Sequence, residues 1–314
     1  MVFEELLARR LVLLSGKGGV GKSLLGASLA LAAARRGKKV LLVEVDTPEA
    51  ASALRYFGEV PAGPGEVSLR PGLDGVNLDP PRVMEEYIRR VVRLEFFVRR
   101  ILGSPIYQRF FAAAPGLKEL MVLGKIMVLV EEKERQRRQP RFDLVVVDAP
   151  ATGHGLSYLE VPSAASRAVP VGPVGANARR IEALLRDPRR TALAVVAVPE
   201  EMAVVEAIEF CRGAREKLGL VPSAVFLNAR PDALLTPAQH AAVLRLGRER
   251  GAAPGLSDAL SAARRHWHRV RLAEAHERRL RREVAVPVVC LPQVAGEAIG
   301  PAALERLADR VEAA

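Results

Sequence analysis

Three observations predict an α/β fold with a doubly wound, mostly parallel sheet. Six short apolar runs recur along the chain with helix-like segments between them, the pattern of βα alternation. The first run, Leu11–Leu14, leads into Ser15-Gly16-Lys17-Gly18-Gly19-Val20-Gly21-Lys22-Ser23 and then a helix-like stretch from Leu24 to Arg36. That strand, glycine-rich loop and helix are the context a phosphate-binding P-loop requires. Two further runs are followed by an aspartate, Asp46 and Asp148, which puts carboxylates at the sheet edge where open α/β folds hold ligands.

The elements follow in order. The strands are expected at Leu11–Leu14, Lys39–Val45, Phe142–Val147, Ala192–Val198, Ala224–Leu227 and Val286–Leu291. Most are near-continuous Val, Leu and Ala, as in strands buried on both faces. Gly37 is placed to end the first helix as a C-cap glycine. Residues 50 to 140 break the alternation. A Pro/Gly-rich stretch, Pro61 to Pro81, precedes a helical block, Val83 to Arg138. The expectation is one domain over residues 1–314 with a helical insert at about 82–138. The block holds Phe96, Phe97, Phe110, Phe111, Met84, Met121 and Met127. Such side chains line a pliable apolar groove or, more commonly, form the core of a helical layer.

Composition limits the partners. Two cysteines, Cys211 and Cys290, are too few and too distant for a disulfide framework, and the reading is a reducing, cytoplasmic location. The first residues lack the basic and apolar regions of a signal peptide, and no run is apolar enough to span a membrane. The net charge of +11 favours anionic partners. Part of it lies between Arg264 and Arg282, read as one long basic helix. A solvated face is the common explanation of such a helix; a nucleic-acid patch is the other.

The motif residues have distinct tasks. Backbone N–H groups of Gly16, Gly18, Gly19, Val20 and Gly21, with the helix start at Leu24, wrap the phosphates of a nucleotide. Lys22 reaches the β- and γ-phosphates and the Ser23 hydroxyl binds Mg²⁺. Asp148 is placed to hold Mg²⁺, directly or through water. Asp46 is placed to orient or activate the attacking water and belongs with Ser23 and Asp148 in the metal set.

The second lysine, Lys17, makes the loop GKGGVGKS. This resembles the deviant Walker A of the family that includes ParA, MinD, nitrogenase iron protein, ArsA and the tail-anchored-protein-targeting ATPases, P-loop enzymes of SIMIBI type. The resemblance implies ATP and Mg²⁺ as cofactors, a catalytic part for Lys17, Lys22 and Asp46, and a Lys17 that reaches across a dimer interface. DAPATGHG (Asp148–Gly155) resembles the switch II of the ArsA and tail-anchored-targeting branch, with His154 a switch element. EVDTPEA (Glu44–Ala50) resembles its switch I, with Thr47 added before the proline and Glu49 near its histidine. Val198–Met202 with Glu206 resembles its "PE…E" segment. Phe226-Leu227-Asn228 resembles the strand end whose asparagine reads adenine. Leu291-Pro292 and Glu297–Gly300 resemble its loop over the base, which makes Pro292 a cofactor-binding candidate.

The chain resembles single-P-loop bacterial members, so a nucleotide-dependent homodimer, or a heterodimer with a paralogue, is implied. Clustered metalloid-binding cysteines and the CxxC zinc clamp are both missing. The leading expectation is an ATP-hydrolysing dimeric switch handling an unnamed client or membrane partner. The alternative is a positioning ATPase of ParA or MinD type on DNA or membrane; nucleic acid is not favoured, and MinD's aromatic membrane anchor is absent. Iron–sulfur reduction is set aside, because neither cysteine lies near Asp46 or Asp148.

Overall fold

A computed structural model describes residues 1–45, 53–58, 65–92, 94–105, 109, 114–134, 139–150, 155–247, 254–294 and 300–314. Among these described residues, eight strands form one sheet: β1 (Leu11–Ser15), β2 (Val40–Glu44), β3 (Val67–Arg70), β4 (Leu73–Asn77), β5 (Leu144–Asp148), β6 (Thr191–Ala197), β7 (Ala224–Arg230) and β8 (Val288–Pro292). Their order is β3-β4-β2-β5-β1-β6-β7-β8. Every pairing is parallel except β3 with β4. Each of the six expected runs is a strand, shifted at its ends by up to three residues.

Side-chain alternation gives the central strands two buried faces. Val12 and Leu14 of β1 face a core with Leu42, Val146, Leu25 and Leu29. Leu11 and Leu13 face the other, with Val43, Val147, Leu123, Ile126 and Ile181. Strands β1, β2, β5 and β6 are buried at every residue, which a two-sided helical cover requires. Helices α1 (Val2–Leu7) and α2 (Lys22–Arg35) lie on the first side. Arg36 caps α2 and Gly37 follows at φ +79°, the left-handed stop its glycine suggested.

The Pro/Gly-rich stretch holds a surprise. It contains the hairpin β3–β4, turned through Pro71-Gly72 with Gly72 at φ +76°, and β4 pairs in parallel with β2. The sheet therefore extends two strands beyond the six expected. These strands are short, carry Ser68, Arg70, Asp74 and Gly75, and lack the apolar continuity of central strands.

Before the hairpin, a 3₁₀ helix (Leu54–Phe57) packs against α2 and the last helix. After it come α3 (Pro80–Val91), α4 (Glu95–Leu102) and α5 (Leu117–Glu131). Met84 and Met127 are buried, whereas Phe96 and Phe97 are 69% and 51% exposed. Phe110 and Phe111 lie outside the described residues. Helices α6 (Gly155–Ala168), α7 (Gly172–Arg186), α8 (Glu201–Leu218), α9 (Pro237–Leu246), α10 (Pro254–Glu283) and α11 (Pro301–Glu312) complete the cover. The basic stretch is the long α10. Its buried Val270, Ala273 and Leu280 face inward, and Arg264, Arg265 and Arg278 are exposed. Ion pairs Arg35–Asp309 and Arg36–Glu312 tie α11 to α2. Exposed pairs of this kind contribute about 1 kcal/mol or less, so buried Leu304, Leu307 and Val311 carry most of that contact.

Candidate nucleotide site

The loop between β1 and α2 is shaped by its neighbours. Gly16 has φ +148° and a Cβ there would lie 2.3 Å from the Val196 carbonyl oxygen of β6. Gly21, the residue before α2, has φ +88°, and a Cβ there would lie 2.3 Å from Nδ2 of Asn228 on β7. Gly19 has φ +81° with open space around it. Only glycine takes all three positions without strain.

Lys22 opens α2 and is buried. Its ammonium donates to the carbonyl oxygens of Gly16 and Lys17, at 2.9 and 3.0 Å. Burial pushes its pKa below the ordinary lysine value, and the charge of Asp148 opposes that shift. Asp148 ends β5, pairs in register with Leu14 of β1 and Glu44 of β2, and is also buried. The register thus sets an acidic pair at the same sheet edge as the loop.

A cavity of about 490 Å³ opens there. Gly19, Val20, Gly21, Lys22, Ser23 and Leu24 form one wall. Asp148, Ala149, Pro150, Glu44, Val45 and Tyr56 also line it, as do Asn228, Ala229, Gln293 and Val294. Ser23 and Asp148 are the described residues of the predicted metal set. Asp46 lies outside the described residues, as do Thr47, Glu49 and, in the second switch-like segment, Thr152 and His154. The glycine cradle, buried ammonium and nearby hydroxyl and carboxylate fit a Mg²⁺-nucleotide phosphate group.

The remaining candidates fall in different places. Asn228 is buried and donates from Nδ2 to the Val20 carbonyl oxygen at 3.0 Å. It is followed by Ala229 at φ +53°. The structure therefore joins Asn228 to the loop as well as to the cavity wall. Pro292 ends β8 in a small cleft with Arg230, Cys290 and Arg310, and its successors Gln293 and Val294 line the cavity beside the glycine loop instead. Gly16 and Lys17 line a second cavity, about 430 Å³, with Glu206 and Phe210 of α8. Gly18 lines neither. Lys17 Nζ stands 2.8 Å from Glu206 of the same chain, with both side chains partly exposed. Both cysteine thiols are pushed up to about 11, Cys211 by burial and Cys290 by burial and then Glu277. Neutral thiols are poor metal ligands.

Sequence reasoning missed Glu44 and Tyr56. Glu44 had one signal: it is the single charge in Val40-Leu-Leu-Val-Glu-Val. Tyr56 had none, because its position depends on the 3₁₀ helix and on the hairpin beyond it.

Comparison with known proteins agrees with this geometry. The family described as "Anion-transporting ATPase" matches residues 9–171, more than half of the chain. The chain is 32% identical over 203 residues to the ATPase BagA of Mycobacterium tuberculosis, covering 64% of this chain and 59% of that protein. It is 27% identical over 201 residues to the arsenical pump-driving ATPase of Escherichia coli, covering 58% of this chain and 33% of that one. It is 31% identical over 156 residues to the ATPase GET3 of Malassezia globosa, covering 49% of this chain and 43% of that one. The match thus spans less than two thirds of the length of each of these relatives. With the loop, the sheet order and the family match in agreement, the chain belongs to the anion-transporting ATPase family.

Proposed function

We propose that this protein is an ATP-hydrolysing switch in which ATP, held with Mg²⁺, draws two copies together across the Lys17 face. The observation that carries this is buried Lys22 in a left-handed glycine loop beside Asp148, around one cavity. Bound Mg²⁺ would neutralise phosphate charge as the bond to the terminal phosphate breaks. Ser23 and Asp148, with Asp46, are the residues suited to hold it. Lys22 stabilises charge on the transferring phosphoryl group, and Asp46 orients the attacking water.

Lys17 is the residue proposed to act on the partner's nucleotide. Its pairing with Glu206 is exposed, hence worth about 1 kcal/mol or less, and does not anchor it. We read residues 1–314 as one domain, with the helices near 82–138 as an insert that responds to the bound nucleotide. A γ-phosphate that orders loops is the kind of device that can drive such a response. The client, an apolar helix or a membrane partner that moves an anion, is met in the cytoplasm. Among the described residues no helix is long and apolar enough to cross a membrane.

The test is turnover and mass together. Lys22→Ala should abolish Mg²⁺-dependent ATP hydrolysis. Lys17→Ala should lose hydrolysis and the dimer seen by light scattering with a non-hydrolysable analogue, while still binding nucleotide. Undiminished turnover in Lys22→Ala sinks the enzyme assignment. A parent protein that stays monomeric in saturating analogue sinks the dimer.

A further inference from the structure

We propose that Tyr56, seated by the Glu44 carboxylate, donates a hydrogen bond at the terminal-phosphate end of the bound nucleotide. The inference rests on the nucleotide reading above and adds a residue that the motif does not contain.

Glu44 is 3% exposed, and a buried carboxylate needs hydrogen-bond partners. It takes them from the 3₁₀ helix: Ala53 N–H donates to Oε1 at 2.8 Å and Leu54 N–H to Oε2 at 3.4 Å. Three residues per turn put Leu54 and Phe57 on one side of that helix. Both are buried against α2 and its neighbours. Arg55 is turned to solvent, and Tyr56, half-buried, forms part of the cavity wall. The helix is thus fixed at its start by Glu44 and along one side by two apolar anchors.

Tyr56 lines the same cavity as Lys22, Ser23, Glu44 and Asp148. Glu44 and Asp148 are register partners on adjacent strands, and both carboxylates act on the phenol. Burial first, then Asp148, then Glu44 push its pKa above the ordinary tyrosine value, so the hydroxyl keeps its proton and remains a donor. Carboxylates cannot donate to a phosphate. The described side-chain donors lining the cavity are Lys22, Ser23, Tyr56, Asn228 and Gln293; Asn228 already donates to the Val20 carbonyl oxygen, and Tyr56 is the hydroxyl that feels both carboxylates.

The experiment is calorimetric binding of ADP and of a non-hydrolysable ATP analogue to the full chain, with Mg²⁺ and with chelator. Tyr56→Phe keeps the ring and removes the hydroxyl. It should weaken the analogue about tenfold, the size of one hydrogen bond to a charged group, and leave ADP within twofold. Its melting temperature should match the parent's. Glu44→Ala should weaken the analogue to the same degree and also lower the melting temperature, and Glu44→Gln, which keeps an acceptor oxygen, should recover part of both. A loss that persists in chelator supports direct contact with the phosphate; a loss confined to Mg²⁺ supports contact through a metal-bound water. A Tyr56→Phe variant that keeps the parent's preference for analogue over ADP overturns the proposal while leaving the nucleotide reading intact. A parent that binds neither nucleotide overturns both.

Discussion

Single atoms decide much of this site, and Gly21 is the clearest case. Its φ of +88° is costly for any residue with a Cβ, and the space that Cβ needs is filled by Asn228. Gly21→Ala should therefore lose about 1–2 kcal/mol from the left-handed backbone alone. It should also displace the amide that holds the Val20 carbonyl. Gly19 has a similar φ and open surroundings, so Gly19→Ala should show the backbone cost without the collision. Denaturant titration and nucleotide binding measure both. If the two variants behave alike, Asn228 does not brace the loop. At this scale the sequence was informative where chemistry is written as spacing: Lys22, Ser23 and Asp148 were legible from the loop and from a strand ending in Asp. Glu44 and Tyr56 were not, because their meaning arises from which backbone amides a carboxylate reaches after folding.

Among the elements, the β3–β4 hairpin has an effect beyond its size. Gly75 sits inside β4, where a Cβ would come within 2.6 Å of Leu54 Cδ2 and 2.7 Å of Leu69 Cδ1. The hairpin and the 3₁₀ helix that carries Tyr56 are therefore packed through a position with no side chain. Gly75→Ala should overpack this contact and cost about 1–3 kcal/mol, read as a lower melting temperature. Adding Leu69→Ala should restore part of it by freeing volume; no recovery in the double variant would place the cost elsewhere. The hairpin escaped sequence reading for a physical reason. Central strands announce themselves through two-sided burial, as in Leu144-Val-Val-Val. An edge hairpin with Arg70, Asp74 and Gly75 shows only its Pro-Gly turn.

For the molecule as a whole, the sheet brings together segments far apart in sequence, and a helical layer stands to one side of the strands. Phe96 and Phe97 meet edge-on at 5.6 Å between ring centres and are both exposed. Met84 and Met127 are core. The helical block thus divides: α3 and α5 contribute to the interior, and α4 presents aromatic surface. Large exposed apolar groups commonly mark contact sites. Hydrogen exchange over residues 83–130 should accordingly change between the free protein and its complex with an ATP analogue, with parallel changes in binding of an apolar dye. Equal protection and no dye binding would return Phe96 and Phe97 to ordinary surface.

The strand order also has a consequence for biosynthesis. β1 lies between β5 and β6, and the cavity next to it needs Asn228 of β7 and Gln293 just after β8. On a translating ribosome, the glycine loop emerges ahead of β5 to β8 and then waits. Until residues near 148 arrive, β1 lacks its first neighbour, and until those near 197 arrive, it lacks its second. Because chains emerge at about 5–20 residues per second, roughly 10–35 seconds separate exposure of the apolar first strand from its enclosure. Nucleotide capture therefore waits until residues 228 and 293 have arrived, and through that interval Leu11–Leu14 is open to nascent-chain chaperones.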